Sequence, residues 1–188
     1  MIALAAEHGL TDFLPYATTL RGWAIAERGR YEEGIAQIRE GLAALRRTGQ
    51  ETLRSFRLCL LADACREAGR LDDGLSALTE ALAAADEHEN RCYEAEMHRL
   101  QGALLLRQHD SNAAKALSCF QRAIEIARKQ SAKSWELRAT TSLARLLEKQ
   151  GRRDEARATL AEIYNWFTEG FDTADLKDAK ALLEELAN

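Results

Sequence analysis

The sequence predicts an all-α fold, an array of about four helix-turn-helix repeats closed by a C-terminal capping helix. Three observations predict it. The turn-like stretch Gly29-Arg30-Tyr31-Glu32-Glu33-Gly34 returns as Gly69-Arg70-Leu71-Asp72-Asp73-Gly74 and as Gly151-Arg152-Arg153-Asp154-Glu155-Ala156, with a weaker copy over His109 to Ala116. Small residues keep register around it: Gly22, Ala62, Gly102 and Ala144 in a first helix, and Gly34, Gly74, Ala116 and Ala156 in a second, at steps of 40, 40, 42 and 40, 42, 40. Between them apolar residues recur at three and four, the spacing of a helix with one buried stripe.

The elements follow in order. Glu7-His8 stands 80 residues before Glu87-His88, so residues 1–10 are expected to end a second helix from a preceding repeat, which implies a longer array. Pro15 then lies near the start of the next helix, where its missing N–H costs little. Full repeats are expected over residues 12–48, 51–89, 91–130 and 132–168. Ile25, Cys65, Leu105 and Leu147 share one core position; Ile38, Leu78, Phe120 and Leu160 share another, and Leu42, Leu82, Ile124 and Tyr164 a third. Phe13, Leu53, Tyr93 and Trp135 stand nine residues before each small residue of the first helix, which is expected to begin before them. The uneven step places a two-residue insertion in the third turn, at 109–112. Residues 163–171 hold four of the twelve aromatics, and Thr173 is a good N-cap for a helix over 173–187. Asp175 and Asp178 suit its dipole, and Leu176, Ala179, Leu182, Leu183 and Leu186 give it one apolar stripe, as a cap on a helical array requires.

Composition narrows the function classes. A net charge of -4 gives no general reason to expect nucleic acid or an anionic membrane as partner. No apolar run reaches the length of a membrane span, and the cytoplasm is the expected location. Cys59, Cys65, Cys92 and Cys119 contain no Cys-x-x-Cys pair and read as small hydrophobes. His88-x-x-x-Cys92, with His98 beyond it, has no second pair to make a metal site, so neither metal nor cofactor is expected. Gly29, Gly69 and Gly151 sit in no phosphate-loop frame and read as helix C-terminal glycines. No nucleophile is tied to a base, so the chain is not expected to be an enzyme. Nine Lys or Arg lie between Arg128 and Arg157, but helical spacing spreads them over several faces and predicts a solvated surface.

Helix-turn-helix units with small residues at these offsets and a Gly-x-Tyr/Leu-acidic-acidic-small turn resemble tetratricopeptide repeats. Gly22, Gly34, Gly41 and Ala62, Gly74, Ala81 keep the family's spacings of twelve and seven, whereas Ala144, Ala156, Ile163 loses the last small residue. The 40-residue period exceeds the usual 34, and the proline that often closes the second helix is absent. Long repeats of this kind resemble the C-terminal arms of bacterial multidomain signalling ATPases and adenylate or guanylate cyclases. Ser134-Trp135-Glu136-Leu137-Arg138 through Leu143-Ala144-Arg145-Leu146, then Tyr164-Asn165-Trp166-Phe167-Thr168-Glu169-Gly170-Phe171-Asp172, carry that resemblance most specifically. No ATPase or cyclase motif lies in the chain.

The resemblance implies a right-handed superhelical array with a concave groove lined by the first helices, taking a protein, a peptide or another domain of the parent polypeptide. Projected onto this sequence, the groove positions are Tyr16, Thr19, Trp23 and Glu27; Phe56, Cys59, Asp63 and Glu67; Glu96, Arg99, Ala103 and Arg107; Arg138, Thr141, Arg145 and Lys149. The partner-binding set expected from these is Tyr16, Trp23, Phe56, Asp63, Glu67, Glu96, Arg99, Arg107, Arg138 and Arg145. Aromatics with acids come first and cations second, which suits an extended peptide with an acidic end. Solvated charge on an exposed helix face would explain the same residues, and Trp23 would suit either a covered groove or packing on a preceding helix. Trp23, Asp63, Ala103 and Arg145 stand where family members that grip chaperone C-termini carry asparagine, so that activity is not implied. The alternative function is effector sensing or self-association within a signalling protein.

Overall fold

The computed structural model describes residues 13–49 and 53–187, and every regular element among them is helical. The expected helix end over residues 1–10 lies outside the described residues. The helices are α1 (Leu14–Ala26), α2 (Tyr31–Arg47), α3 (Arg54–Glu67), α4 (Leu71–Glu87), α5 (Glu94–Gln108), α6 (Ala113–Lys129), α7 (Lys133–Lys149), α8 (Arg153–Tyr164) and α9 (Ala174–Ala187). They fall into two compact units, Met1–Arg91 and Cys92–Asn188. In the first, α1 packs on α2, α3 on α4, and α3 also on α2 and α1. In the second, α5 packs on α6, α7 on α8, and α7 also on α6 and α5, while α9 lies against α8 and α7. Pairs repeated in this way and ended by one further helix make a helical repeat array with a C-terminal helix.

The small-residue series is where paired helices touch. A Cβ on Gly34 would stand 2.6 Å from the Gly22 carbonyl oxygen and 2.7 Å from the Ala26 Cβ. A Cβ on Gly102 would stand 2.6 Å from the Phe120 ring. Ala62, Ala116, Ala144 and Ala156 are fully buried at the matching positions. Around them Ile38, Leu78, Phe120 and Leu160, one register position in four repeats, are all core.

The repeated turn is a helix end followed by a helix start. Gly29, Gly69 and Gly151 take φ of 82°, 74° and 75°, which L side chains adopt only with strain. That turn lets the Arg30, Arg70 and Arg152 N–H groups reach back to the Ile25, Cys65 and Leu147 carbonyls at 3.3, 2.8 and 2.9 Å. The same arginines pair with Glu33, Asp73 and Glu155 three residues on, acids that also favour the positive end of the next helix. At the third turn His109 is extended and Asp110–Asn112 forms a short 3-10 turn. There the Asn112 side-chain amide donates to the Leu105 carbonyl at 3.2 Å, satisfying the register equivalent of Ile25, Cys65 and Leu147. The two inserted residues thus replace a left-handed glycine by a side-chain cap.

The expected helix starts need correction. Helices α1, α3 and α5 begin just after Phe13, Leu53 and Tyr93 rather than before them; only α7 starts ahead of its member of the series, Trp135. Leu53 has φ of 56°, a left-handed turn that breaks the helix there. Trp135 instead packs on Ala95, Ile126 and Ala127 and meets Tyr93 edge-on at 6.1 Å. The C-terminal helix is present, and Leu176, Ala179, Leu182 and Leu186 of α9 join the core of the second unit.

Candidate functional site

In the first unit the projected groove positions divide. Thr19 and Cys59 are buried and belong to helix packing, which removes them from any partner surface. Tyr16 is half-buried beneath the Arg57 guanidinium, 4.3 Å from its ring centre, and Phe56 is likewise half-buried. Trp23 remains 37% exposed. Its indole N–H donates to Glu27, which lines a cleft of about 290 Å³ with Ala26, Tyr31, Asp63, Ala64, Arg66 and Glu67. Arg66 holds both Asp63 at 2.8 Å and Glu67 at 2.5 Å. Burial together with the charges of Asp63 and Glu67 raises the Glu27 carboxyl above its ordinary value, against the pull of Arg66 and the Trp23 hydrogen bond.

The second unit brings its arginines together, but not as bare cations. Glu96 on α5, expected as a groove residue, is 7% exposed and chelated by Arg99 through two hydrogen bonds of 2.8 Å. Arg138 on α7 reaches Glu96 at 3.1 Å on one side and Asp175 of α9 at 3.7 Å on the other. Arg145, further along α7, meets Asp178 at 2.5 Å. Arg99, Arg138, Thr141, Ser142, Arg145, Asp175 and Asp178 line a cleft of about 130 Å³. Arg107 is exposed at the last turn of α5 and is not among the lining residues. The expected cationic half of the groove is therefore an alternating ladder of charge across α5, α7 and α9, with the chain's own carboxylates already on Arg99, Arg138 and Arg145. Asp175 and Asp178 were missed as site residues because they also suit a helix N-terminus. Their three-residue spacing, which puts both on one side of α9, was the available signal.

Much of the basic tract from Arg128 to Arg157 is likewise paired locally. Arg128 and Lys133 hold Glu136 at 2.6 and 2.7 Å, Lys129 holds Glu125 at 2.7 Å, and Arg152 holds Glu155 at 2.7 Å. Glu136 is 2% exposed; burial works to raise its carboxyl, but the hydrogen bonds from Lys133 and Arg128 outweigh it and hold the group below its ordinary value.

One arrangement looks catalytic and is not built as such. Gln101 joins Cys119, whose sulfur lies 3.7 Å from its oxygen, to His98, which hydrogen-bonds the same side chain. Burial pushes the Cys119 thiol up and the His98 imidazole down, the reverse of an activated thiolate beside an imidazolium. Among the described residues no group of three or more His, Cys, Asp or Glu could hold a metal ion. No described helix is long and apolar enough to cross a membrane.

Comparison with known proteins agrees with the helical-repeat fold. Residues 93–168 match the tetratricopeptide repeat family. The tetratricopeptide match covers α5 to α8, the helices that carry Glu96, Arg99, Arg138 and Arg145. Two crystal structures of a Podosopora anserina protein, described as a kinesin light chain with nearly identical TPR-like repeats, share the fold more widely. One of them, a form with a single substitution, aligns with a TM-score of 0.67 at 14% identity over 91% of this chain and 84% of that one. The second gives 0.64 at 13% over the same shares. An uncharacterized protein of Rhizobium meliloti (strain 1021) is 29% identical over 148 residues, which span 78% of this chain and 14% of that relative.

Proposed function

We propose that the chain is a non-catalytic protein-interaction scaffold, one tetratricopeptide-like domain over residues 1–188, that binds a peptide or a partner domain through the exposed sides of its first helices. One observation carries this reading: the cleft in which Arg99, Arg138 and Arg145 converge. Arg145 is exposed, at the position where other repeats carry Trp23, Asp63 and Ala103, and reaches Asp178 of α9. Guanidinium groups gathered along one cleft suit the carboxylates of a peptide. In the first unit Tyr16, Trp23, Phe56, Asp63 and Glu67 would serve as an aromatic and acidic counterpart for a basic stretch of the same or another partner. Self-association is the second reading. In this cleft a small effector fits less well, because about 130 Å³ lies below the roughly 300–1,000 Å³ range usual for small-molecule pockets.

The chain belongs, in this reading, to a larger cytoplasmic bacterial signalling or regulatory protein. The Rhizobium relative supports the larger size alone, since its matched stretch is 14% of its length. Co-purification with Trp23→Ala and with Arg138→Gln/Arg145→Gln tests the scaffold. Loss of a specific bound protein in either variant, with helicity retained, is the expected result. Equal recovery by both variants and the parent would refute a first-helix binding face. A sedimentation coefficient that rises with concentration and falls back in either variant would favour self-association.

A further inference from the structure

We propose that the acidic side of α9 is a built-in competitor for the arginine cleft of the second unit, so that a carboxylate-rich partner segment binds by displacing Asp175 and Asp178. The inference rests on the reading of that cleft as a partner-binding surface and adds its regulation.

Helix α9 does not need these acids to dock. Its apolar stripe, which the two acids border, buries Leu176, Ala179, Leu182 and Leu186, and Arg153 donates to the Leu186 carbonyl near its end at 3.1 Å. Asp175 and Asp178 are one turn apart, each with a side chain 49% exposed, and Arg145 is 49% exposed as well. Ion pairs this open to water contribute little to stability and exchange readily. Glu96 differs in kind: buried and chelated by Arg99, it stays in place and orients Arg138. The ladder thus has a fixed carboxylate at one end and two exchangeable ones at the other.

The arginines also have capacity that α9 leaves unused. A guanidinium offers five N–H donors in a fork suited to bidentate carboxylates. Asp178 takes one nitrogen of Arg145 within hydrogen-bond reach, and Asp175 approaches Arg138 only to 3.7 Å. An incoming glutamate or aspartate unconstrained by a helix could engage both arginines face-on. The helix therefore sets a threshold, admitting segments with several acids and excluding those with one.

Fluorescence anisotropy on the full chain, with labelled hexaglutamate at low ionic strength, tests the idea. Asp175→Asn/Asp178→Asn should bind about three- to tenfold more tightly than the parent, the factor set by two weak competing pairs. Adding Arg138→Gln/Arg145→Gln should abolish binding in both backgrounds. Glu169→Gln/Glu184→Gln makes the same charge change away from the cleft and should leave affinity within about twofold. Equal tightening there would show a net-charge effect and overturn the proposal. Equal affinity of the parent and the Asp175→Asn/Asp178→Asn variant, both dependent on the arginines, would overturn the competitor while keeping the cleft as a carboxylate site. Binding of hexaglutamate by neither, or of hexalysine in its place, would overturn the cleft reading as well. Asp178→Asn alone provides the measurement if the double variant loses helicity.

Discussion

Arg138 on α7 holds Glu96 on α5 at 3.1 Å, tying two first helices of successive repeats through a carboxylate that is almost wholly buried. Glu96 has a second, closer partner in Arg99, so the two arginines are unequal. Arg138→Gln leaves Glu96 chelated and should cost under about 1 kcal/mol, whereas Arg99→Met strips a buried carboxylate of its bidentate partner and should cost about 2–4 kcal/mol. Urea unfolding of both variants measures the difference. Equal losses would mean that Arg138 is the structural partner and could not be spared for a ligand.

Two carboxyls should respond to pH in opposite senses. Glu136 is held below its ordinary value of 4.5, so its contribution is full above that value and is lost as pH falls through the lower folded value. Glu136→Gln should therefore destabilise by about 1–3 kcal/mol at neutral pH, with the gap from the parent narrowing below pH ~4. Glu27 is raised, so its ionised form costs stability at neutral pH and the cost is relieved as pH falls through the raised folded value. Glu27→Gln should raise the melting temperature at neutral pH and match the parent in acid. Thermal unfolding of both variants, followed from about pH 3.5 to about pH 8, reads both signs.

The turns predict a stabilising and a destabilising change. Ser131 occupies the left-handed position that Gly49 fills after α2, with φ of 54°. Ser131→Gly should stabilise by about 0.5–1.5 kcal/mol, the strain relieved less the added chain entropy. Asn112→Ala removes the amide that caps the Leu105 carbonyl and should cost about 0.5–1.5 kcal/mol. His109→Gly should give no gain, because His109 is extended rather than left-handed. Denaturant midpoints of the three variants decide the point.

Close approach of α1 and α2 gives a prediction against helix propensity. Alanine ordinarily improves on glycine inside a helix by about 1 kcal/mol. At Gly34 the new methyl would meet the Gly22 carbonyl oxygen and the Ala26 Cβ, backbone or short side chain that cannot swing away. Gly34→Ala should destabilise by about 1–3 kcal/mol, seen as earlier melting.

The fold was readable because it is written in a repeat. Glycine at 29, 69 and 151 is needed for a left-handed turn, and small residues at 22, 34, 102 and 116 are needed for contact, so both recur in the sequence at the period of the structure. The site was readable only by halves. Arg138 and Arg145 could be placed on one side of a helix, but the Arg138 partners Glu96 and Asp175 lie 42 and 37 residues away, on helices whose rotation about their axes the sequence leaves open. The burial of Thr19, Cys59 and Thr141 was hidden for a similar reason: the edge of a helix face is set by how near the neighbouring helix comes, which depends on the side chains of both.

Docking of partners on the arginine cleft of the second unit is measured most directly by site-specific photo-crosslinking, with a benzophenone amino acid replacing Ser142 in the cleft or, as control, the exposed Arg157 on α8. A partner adduct formed from position 142, absent from position 157 and lost on adding Arg138→Gln/Arg145→Gln, is the predicted result. Adducts formed equally from both positions, or from 157 alone, would contradict it.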